Sequence, residues 1–360
     1  MEIILRYRNM GESNINEIRF ADYCPFGFWM AQNCEEIEVV ECIQEEEFEW
    51  LVSRNCKKGR DMKIGLIDVD GHNFPNLALM KIAAYHKSLG DDVEWYDPMF
   101  SGHMDKVYMS KIFTFTDDYI YNIDSEEIVK GGTGYFYPTG GTELPEEIEH
   151  IYPDYSIYYD KIPATRETAY GFLTRGCPRG CDFCIVGKKE GRCSKKVADL
   201  SQFWKGQKYI EVMDPNLLAC SEWKDLLQQL IDSKATVNIN QGMDIRFMTE
   251  EKAEMINKLK VKLIHFAWDN YEFETYEKLK KYRPLLKFNG RKLRVYVLVN
   301  FNTTLEQDLD RIYKLKELDY DPYVMIYEKW NAPKEIRRLQ RWVNNKFIFR
   351  SCERFEDYKS

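Results

Sequence analysis

The chain has 360 residues, 44% of them hydrophobic, and a formal net charge of −8. That length holds two domains, or one large domain with an extension, and the apolar share is that of a chain that buries a core. The acidic balance excludes broad nonspecific nucleic-acid binding, which needs a basic footprint, and no apolar run approaches the roughly 20 residues that cross a bilayer. The first residues, MEIILRYRNMGESN, carry neither a long apolar stretch nor a small-residue cleavage site. A cytoplasmic protein is expected.

Residues 1–61 form an acidic extension with 7 Lys/Arg against 13 Asp/Glu, and EEIEVVECIQEEEFEWLV is its clearest element. A new unit, residues 62–160, begins with KIGLIDVDG, an apolar strand ending in a turn. NLALMKIAAYHKSLG follows as a helix with one apolar face and Gly90 at its end. VEWYD, VYMSKIFTF and EEIVKGG read as further strands. This order implies a parallel sheet of Rossmann-like type.

Residues 161–330 alternate regularly. TAYGFLT, KYIEVM, TVNINQ, KLIHFAW, KLRVYVLV and PYVMIY are six strand candidates. KKVADLSQFW, SEWKDLLQQLIDS, TEEKAEMINKLK, FETYEKLKKY and LEQDLDRIYKLKEL are the helices expected between them. Thr304 and Gln307 suit a capping box on the last. The expected class is therefore α/β: a Rossmann-like sheet domain followed by a partial (β/α)6 barrel of TIM type, whose chemistry collects at the C-terminal ends of its strands. Residues 331–360 close the chain as a helix and tail. Its basic run KEIRRLQRWVNNKFIFR is either a solvated helix face or a site for a polyanion.

Of ten cysteines, only those in GFLTRGCPRGCDFCIVG are closely spaced. Cys177, Cys181 and Cys184 stand as Cys-x3-Cys-x2-Cys, directly after the first barrel strand. Gly176 and Gly180 permit the turns that bring three thiolates onto one side of a cubane cluster. Three ligands leave one iron open, as a cluster that binds a small molecule requires. The competing reading is zinc, with Cys193 as a fourth ligand.

The loop resembles the signature of the radical S-adenosylmethionine superfamily, including the aromatic Phe183 before the third cysteine. The resemblance spans roughly residues 62–350. It implies a [4Fe-4S] cluster on Cys177, Cys181 and Cys184, with S-adenosyl-L-methionine on the open iron. One-electron reduction would cleave the sulfonium and give a 5′-deoxyadenosyl radical that abstracts hydrogen from a substrate. It implies Phe183 beside the adenine and an electron donor such as a flavodoxin or ferredoxin. The substrate and the outcome of the reaction are not readable.

Further candidates stand at the ends of later strands. Met213, Asp214, Pro215 and Asn216 replace the Gly-Gly-Glu stretch frequent in the superfamily. Asp214 would hold the methionyl amine or cap the strand. In NINQGMDIR, Gln241, Asp244 and Arg246 are polar groups gathered at one strand end. Asp244 suits a ribose hydroxyl and Arg246 the cofactor carboxylate; alternatively the two form a surface pair. Asp269 falls where related enzymes place a Glu or Ser near the cofactor. His265, within its strand, reads as a packed core histidine.

Residues 62–150 resemble the cobalamin-binding-type domain that precedes many such barrels. Histidine ligation of cobalt goes with Asp-x-His-x-x-Gly, whereas here Asp70, His72 and Pro75 give Asp-x-His-x-x-Pro. No cobalamin is expected. Gly131, Gly132 and Gly134 suit either a phosphate loop or a tight turn. The alternative to an enzyme is an iron–sulfur or zinc protein serving electron transfer or partner binding.

Overall fold

A computed structural model describes residues 62–71 and 73–359, and within the first 61 residues only the course of three strands. These are β1 (Ile3–Asn9), β2 (Asn16–Phe20) and β3 (Ile37–Ile43), an antiparallel sheet in the order β2-β1-β3. His72, on which cobalt ligation turns, lies outside the described residues, as do the side chains of Cys24, Cys34, Cys42 and Cys56.

The second sheet is parallel throughout, in the order β5-β4-β6-β7. Its strands are β4 (Lys63–Asp68), β5 (Asp92–Trp95), β6 (Met104–Ser110) and β7 (Ser125–Gly131). β4 runs as a continuous apolar segment because both of its faces are covered. Ile64 and Leu66 pack on Leu79, Ile82 and Ala83 of helix α1 (Leu77–Ser88), while Ile67 packs on Met104, Val107 and Met109. Asn76 caps α1 through its side chain, which accepts from the Leu79 amide. The β5–β6 and β6–β7 connections hold no helix, and a short helix α2 (Glu146–Glu149) follows β7.

The third sheet has six parallel strands in the order β15-β14-β13-β12-β11-β8. They are β8 (Thr168–Gly171), β11 (Tyr209–Val212), β12 (Thr236–Met243), β13 (Val261–Ala267), β14 (Leu293–Val299) and β15 (Asp321–Ile326). β9 (Thr174–Arg175) and β10 (Lys195–Lys196) form a separate antiparallel pair. Helices α3 (Val186–Lys189), α4 (Trp223–Asp232), α5 (Glu250–Ile256), α6 (Phe273–Tyr282), α7 (Leu305–Glu317), α8 (Lys334–Asn344) and α9 (Lys346–Ser351) follow in turn. The chain is thus α/β, with a Rossmann-like sheet and an open six-stranded barrel of TIM type.

Strand alternation divides the barrel sheet into two faces. Ile210, Val237, Ile239, Ile264, Phe266, Val295, Val297 and Val324 are buried in one core with Leu226, Leu230, Ile312 and Leu315 of α4 and α7. Between them stand polar residues that pair across the strands. Asn238 Nδ2 donates to Glu211 (2.5 Å), and Arg294 Nε to Asp321 (3.0 Å). β8 and β15 are the two ends of the sheet. On β15 the Asn344 side chain stands in for a further strand, accepting from Val324 N (2.8 Å) and donating to Val324 O (3.0 Å).

Thr304 and Gln307 form the capping box of α7. The basic tail is α8 and α9, with Ile336, Leu339, Trp342 and Val343 turned into the core, the pattern of a solvated helix face. Two expected elements differ. KKVADLSQFW is not a helix: Lys195 and Lys196 pair with Arg175 and Thr174, and only a three-residue 3-10 turn, Leu200–Gln202, follows. VYMSKIFTF stops being a strand at Ser110, because Asp70 takes the amide hydrogens of Ile112 and Phe113. Among the described residues, no helix is long and apolar enough to cross a membrane.

Candidate functional site

The cysteine loop leaves the C-terminal end of β8 and is closed at its base by the β9–β10 pair. Inside it, Glu190 accepts from Arg175 Nη1 (2.8 Å) and from the Gly176 amide (3.1 Å), and Cys177 N donates to Gly191 O (3.2 Å). Gly176 has φ +82°, and a Cβ there would stand 2.2 Å from the Cys193 carbonyl oxygen. The two limbs of the loop therefore touch backbone to backbone, which only glycine permits.

Cys177, Cys181 and Cys184 are free and half-buried. Cys181 and Cys184 lie close enough to each other, to Cys177 and to Asp269 for their charges to interact. Burial raises both the Cys181 and the Cys184 thiol above the ordinary thiol range. Such thiols ionise when they gain a metal partner. The Cys184 amide donates to Cys181 O (3.0 Å), and Asn216 Nδ2 donates to Cys177 Sγ (3.6 Å). An N–H donor aimed at a ligand sulfur is a usual means of stabilising a thiolate on a cluster. Cys193 is exposed. Among the described residues, no three His, Cys, Asp or Glu side chains converge on a single metal-ion position. Three free thiols in one half-buried loop, one of them with an N–H donor at its sulfur, are donors of the kind a cluster takes. The donor set fits a cluster.

Asn216, at 1% exposure, ties the loop to two strand ends. Besides Cys177, it accepts from Asp244 N through Oδ1 (3.4 Å), and its carbonyl accepts from Ser194 Oγ (3.0 Å). Phe183 meets Phe301, beyond β14, edge to face with centroids 5.6 Å apart. The loop thus reaches across the barrel mouth.

Two of the expected ligand contacts are taken by other partners. Asp214 is 1% exposed. It accepts from Leu173 N (2.7 Å), Thr174 N (2.9 Å) and Thr174 Oγ1 (2.7 Å), so it latches the start of the cysteine loop. Burial pushes its carboxyl up to about 7, against the pull of those three donors. Arg246 does not stand free for a cofactor carboxylate. Its Nε and Nη2 grip both oxygens of Asp244 (2.8 and 3.0 Å), and its Nη1 donates to Glu272 (2.7 Å). Asp244 also caps the short turn Ile245–Phe247 and lies 3.4 Å from Arg179 Nε of the cysteine loop. The Asp–Arg pair is therefore what the geometry forms, at the cysteine mouth.

Asp269 differs from these. Its carboxylate has no hydrogen-bond partner among the described residues, and it interacts electrostatically with Cys181, Cys184, Arg246 and Arg311. Burial pushes it up to about 6, with Arg311 and Arg246 pulling the other way. Arg311, fully buried, holds the backbone at that corner by donating to Trp268 O (2.5 Å) and Asp269 O (2.9 Å). Gln241 is exposed. His265 is buried, stacked on Tyr296 at 5.0 Å, with Nδ1 2.8 Å from Ile239 O. Gly132 and Gly134 would set a Cβ 2.3 and 2.4 Å from Lys111 atoms, so the glycine cluster is a close-packed turn and not a phosphate cradle.

Glu190, Glu272, Arg179 and Arg311 belong to this constellation and were not singled out by the sequence reading. Glu190, between the limbs of the cysteine segment, offered the one usable signal: with Asp182 it is one of two acids amid seven basic residues from 175 to 196.

No family model matches the sequence, and no curated protein matches it. Among solved structures, Streptococcus suis SuiB matches at 12% identity over 53% of this chain and 52% of SuiB, with a TM-score of 0.35. SuiB bound to its precursor peptide SuiA matches at 11% identity over 60% of this chain and 55% of that one (TM-score 0.37). SuiB bound to S-adenosylmethionine matches at 12% over 58% and 52% (TM-score 0.36). The chain spans about half the length of the SuiB chains it matches. The likeness is loose.

Proposed function

We propose that the chain is a radical S-adenosylmethionine enzyme whose Cys177, Cys181 and Cys184 hold a [4Fe-4S] cluster. One observation carries this reading: a Cys-x3-Cys-x2-Cys loop departs from the first strand of an open parallel barrel, with its half-buried thiols beside the unpaired carboxylate of Asp269. When bound, the cluster supplies the electron that cleaves S-adenosyl-L-methionine to methionine and a 5′-deoxyadenosyl radical. The protein's own residues bind and orient. Asp214 fixes the departure of the loop, and Asn216 donates to the Cys177 sulfur. Asp269 is the free acceptor for the cofactor's ammonium or hydroxyl groups. Asp244, with both oxygens gripped by Arg246, lines the mouth beside it. Phe183 and Phe301 offer an apolar wall to a flat ring.

In this reading residues 1–61 are an acidic extension, 62–160 the Rossmann-like domain, 161–330 the radical barrel and 331–360 a closing helix and tail. The partners are a substrate of unknown class and a one-electron donor of flavodoxin or ferredoxin type. Anaerobic protein reconstituted with iron and sulfide, then given dithionite and S-adenosyl-L-methionine, is expected to release 5′-deoxyadenosine and methionine. A chain that binds iron but releases neither would be an electron-transfer or partner-binding protein.

A further inference from the structure

An outer strand of a sheet turns every second amide and carbonyl away from its neighbour, a row that accepts another strand unless it is blunted. Three of the four outer strands of the two parallel sheets are blunted. The Asn344 amide occupies the edge of β15. On β8 the Tyr155 hydroxyl does the same, donating to Tyr170 O (3.3 Å) and accepting from Tyr170 N (3.0 Å). β5 has only four residues. β7 differs. It runs for seven residues, with β6 on one side and, among the described residues, no strand on the other. Ser125 Oγ donates to Glu127 O (2.8 Å) from within the strand, and that carbonyl keeps a second lone pair.

Charges on an edge ordinarily keep other chains away. On β7 their order does the opposite for one partner. Glu126, Ile128 and Lys130 follow one another on a single face of the sheet, and all three are exposed. Ile128 stands midway between the acid and the base. A second copy of β7, antiparallel and centred on Ile128, sets each Glu126 opposite the other copy's Lys130 and packs Ile128 on its own equivalent. Centring on Glu126 or Glu127 would oppose like carboxylates, and centring on Val129 would set Lys130 against Ile128. Charge therefore selects one register. Both groups have capacity for it. The Glu126 carboxylate has His103 Nε2 at 3.8 Å, and Lys130 Nζ has Asp118 at 3.6 Å and the Tyr135 ring at 4.8 Å. Asp118 already accepts from the Tyr135 hydroxyl (2.5 Å). We propose that β7 is a self-association edge through which two copies of this chain join, giving one continuous sheet in the order β5-β4-β6-β7-β7-β6-β4-β5. The proposal is independent of the cluster.

The test is sedimentation equilibrium of the full chain and of two charge reversals at exposed positions, Glu126→Lys and Lys130→Glu. The unaltered chain is expected to dimerise reversibly. Each reversal alone opposes like charges at both crossings and is expected to weaken dimerisation at least about tenfold. An equimolar mixture of the two variants restores opposite signs at both crossings, and is expected to associate as tightly as the unaltered chain, as a heterodimer. A variant carrying both reversals regains self-association for the same reason. Recovery on mixing also shows that the two variants are folded. A chain that stays monomeric up to about 0.1 mM overturns the proposal. So does a dimer that the reversals leave unchanged, which would lie on another face. Weakened variants that fail to recover on mixing overturn it as well, because their loss would not come from the paired charges.

Discussion

Two aspartates occupy equivalent places in the two parallel sheets. Asp70 stands two residues past β4 and accepts from Ile112 N, Phe113 N and Thr116 Oγ1 on the loop leaving the neighbouring β6. Asp214 stands two residues past β11 and accepts from Leu173 N, Thr174 N and Thr174 Oγ1 on the loop leaving the neighbouring β8. The donors are alike, and the surroundings differ. Asp214 is sealed beneath the cysteine loop at 1% exposure, whereas Asp70 is only half-buried and the loop it holds carries Phe115 and Ile120 at 65% and 83% exposure. The same latch is therefore sealed from water in the barrel and half-open to it in the N-terminal sheet. At the barrel mouth most polar groups are already matched with each other, and Asp269 is the acceptor left over. At the end of the N-terminal sheet, a cavity of about 280 Å³ remains open.

The sharpest way to break that comparison is to remove each latch. Asp214→Ala leaves two amides and a hydroxyl buried without an acceptor, at about 1–3 kcal/mol each, so a loss of about 3–5 kcal/mol is expected in urea denaturation. Asp70→Ala should lose about 1 kcal/mol, because its donors can turn to water. Equal losses would show that burial does not separate the two loops. A smaller contrast lies within the barrel mouth. Arg246→Ala breaks charged hydrogen bonds to Asp244 and Glu272 and should lower stability by about 1.5–3 kcal/mol. Asp269→Asn should leave stability within about 0.5 kcal/mol and weaken S-adenosyl-L-methionine binding about tenfold. The reverse pattern would move the cofactor contact from Asp269 to Arg246.

The smallest expected effect concerns pH. Burial holds the His265 imidazole below its ordinary value of 6.5. Above that pH both folded and unfolded forms are neutral. As pH falls below 6.5 the unfolded chain takes up the proton first, so His265 costs stability with a slope of at most about 1.4 kcal/mol per pH unit. His265→Gln should flatten the loss of urea midpoint between pH 6.5 and pH 5. An unchanged slope would mean that the ring charges freely in place.

The barrel strands were legible because each carries apolar residues at every second position and is followed by a helical period, as in KLRVYVLV and LEQDLDRIYKLKEL. KKVADLSQFW misleads because Val197, Leu200, Phe203 and Trp204 have the spacing of a helix face. Long-range pairing decides instead: Val197 N donates to Leu173 O (2.8 Å), and Lys195 and Lys196 are taken by β9. The cysteine loop was legible because ligand spacing is a covalent constraint. Its partners were not. Arg246 and Glu272 meet across 26 positions and Asn216 and Cys177 across 39, and single polar residues on loops leave no periodic trace. Asp214 was noticed for its position, but its direction is set by two backbone amides that no side-chain pattern reveals.

The most direct test of the central claim is the iron and labile-sulfide content of anaerobically reconstituted protein and four variants, Cys177→Ala, Cys181→Ala, Cys184→Ala and Cys193→Ala. The account predicts about four irons with matching sulfide in the unaltered chain, loss of most of both in the first three variants, and full retention in Cys193→Ala. Stoichiometric zinc without labile sulfide, bound in a form that Cys193→Ala abolishes, would contradict it.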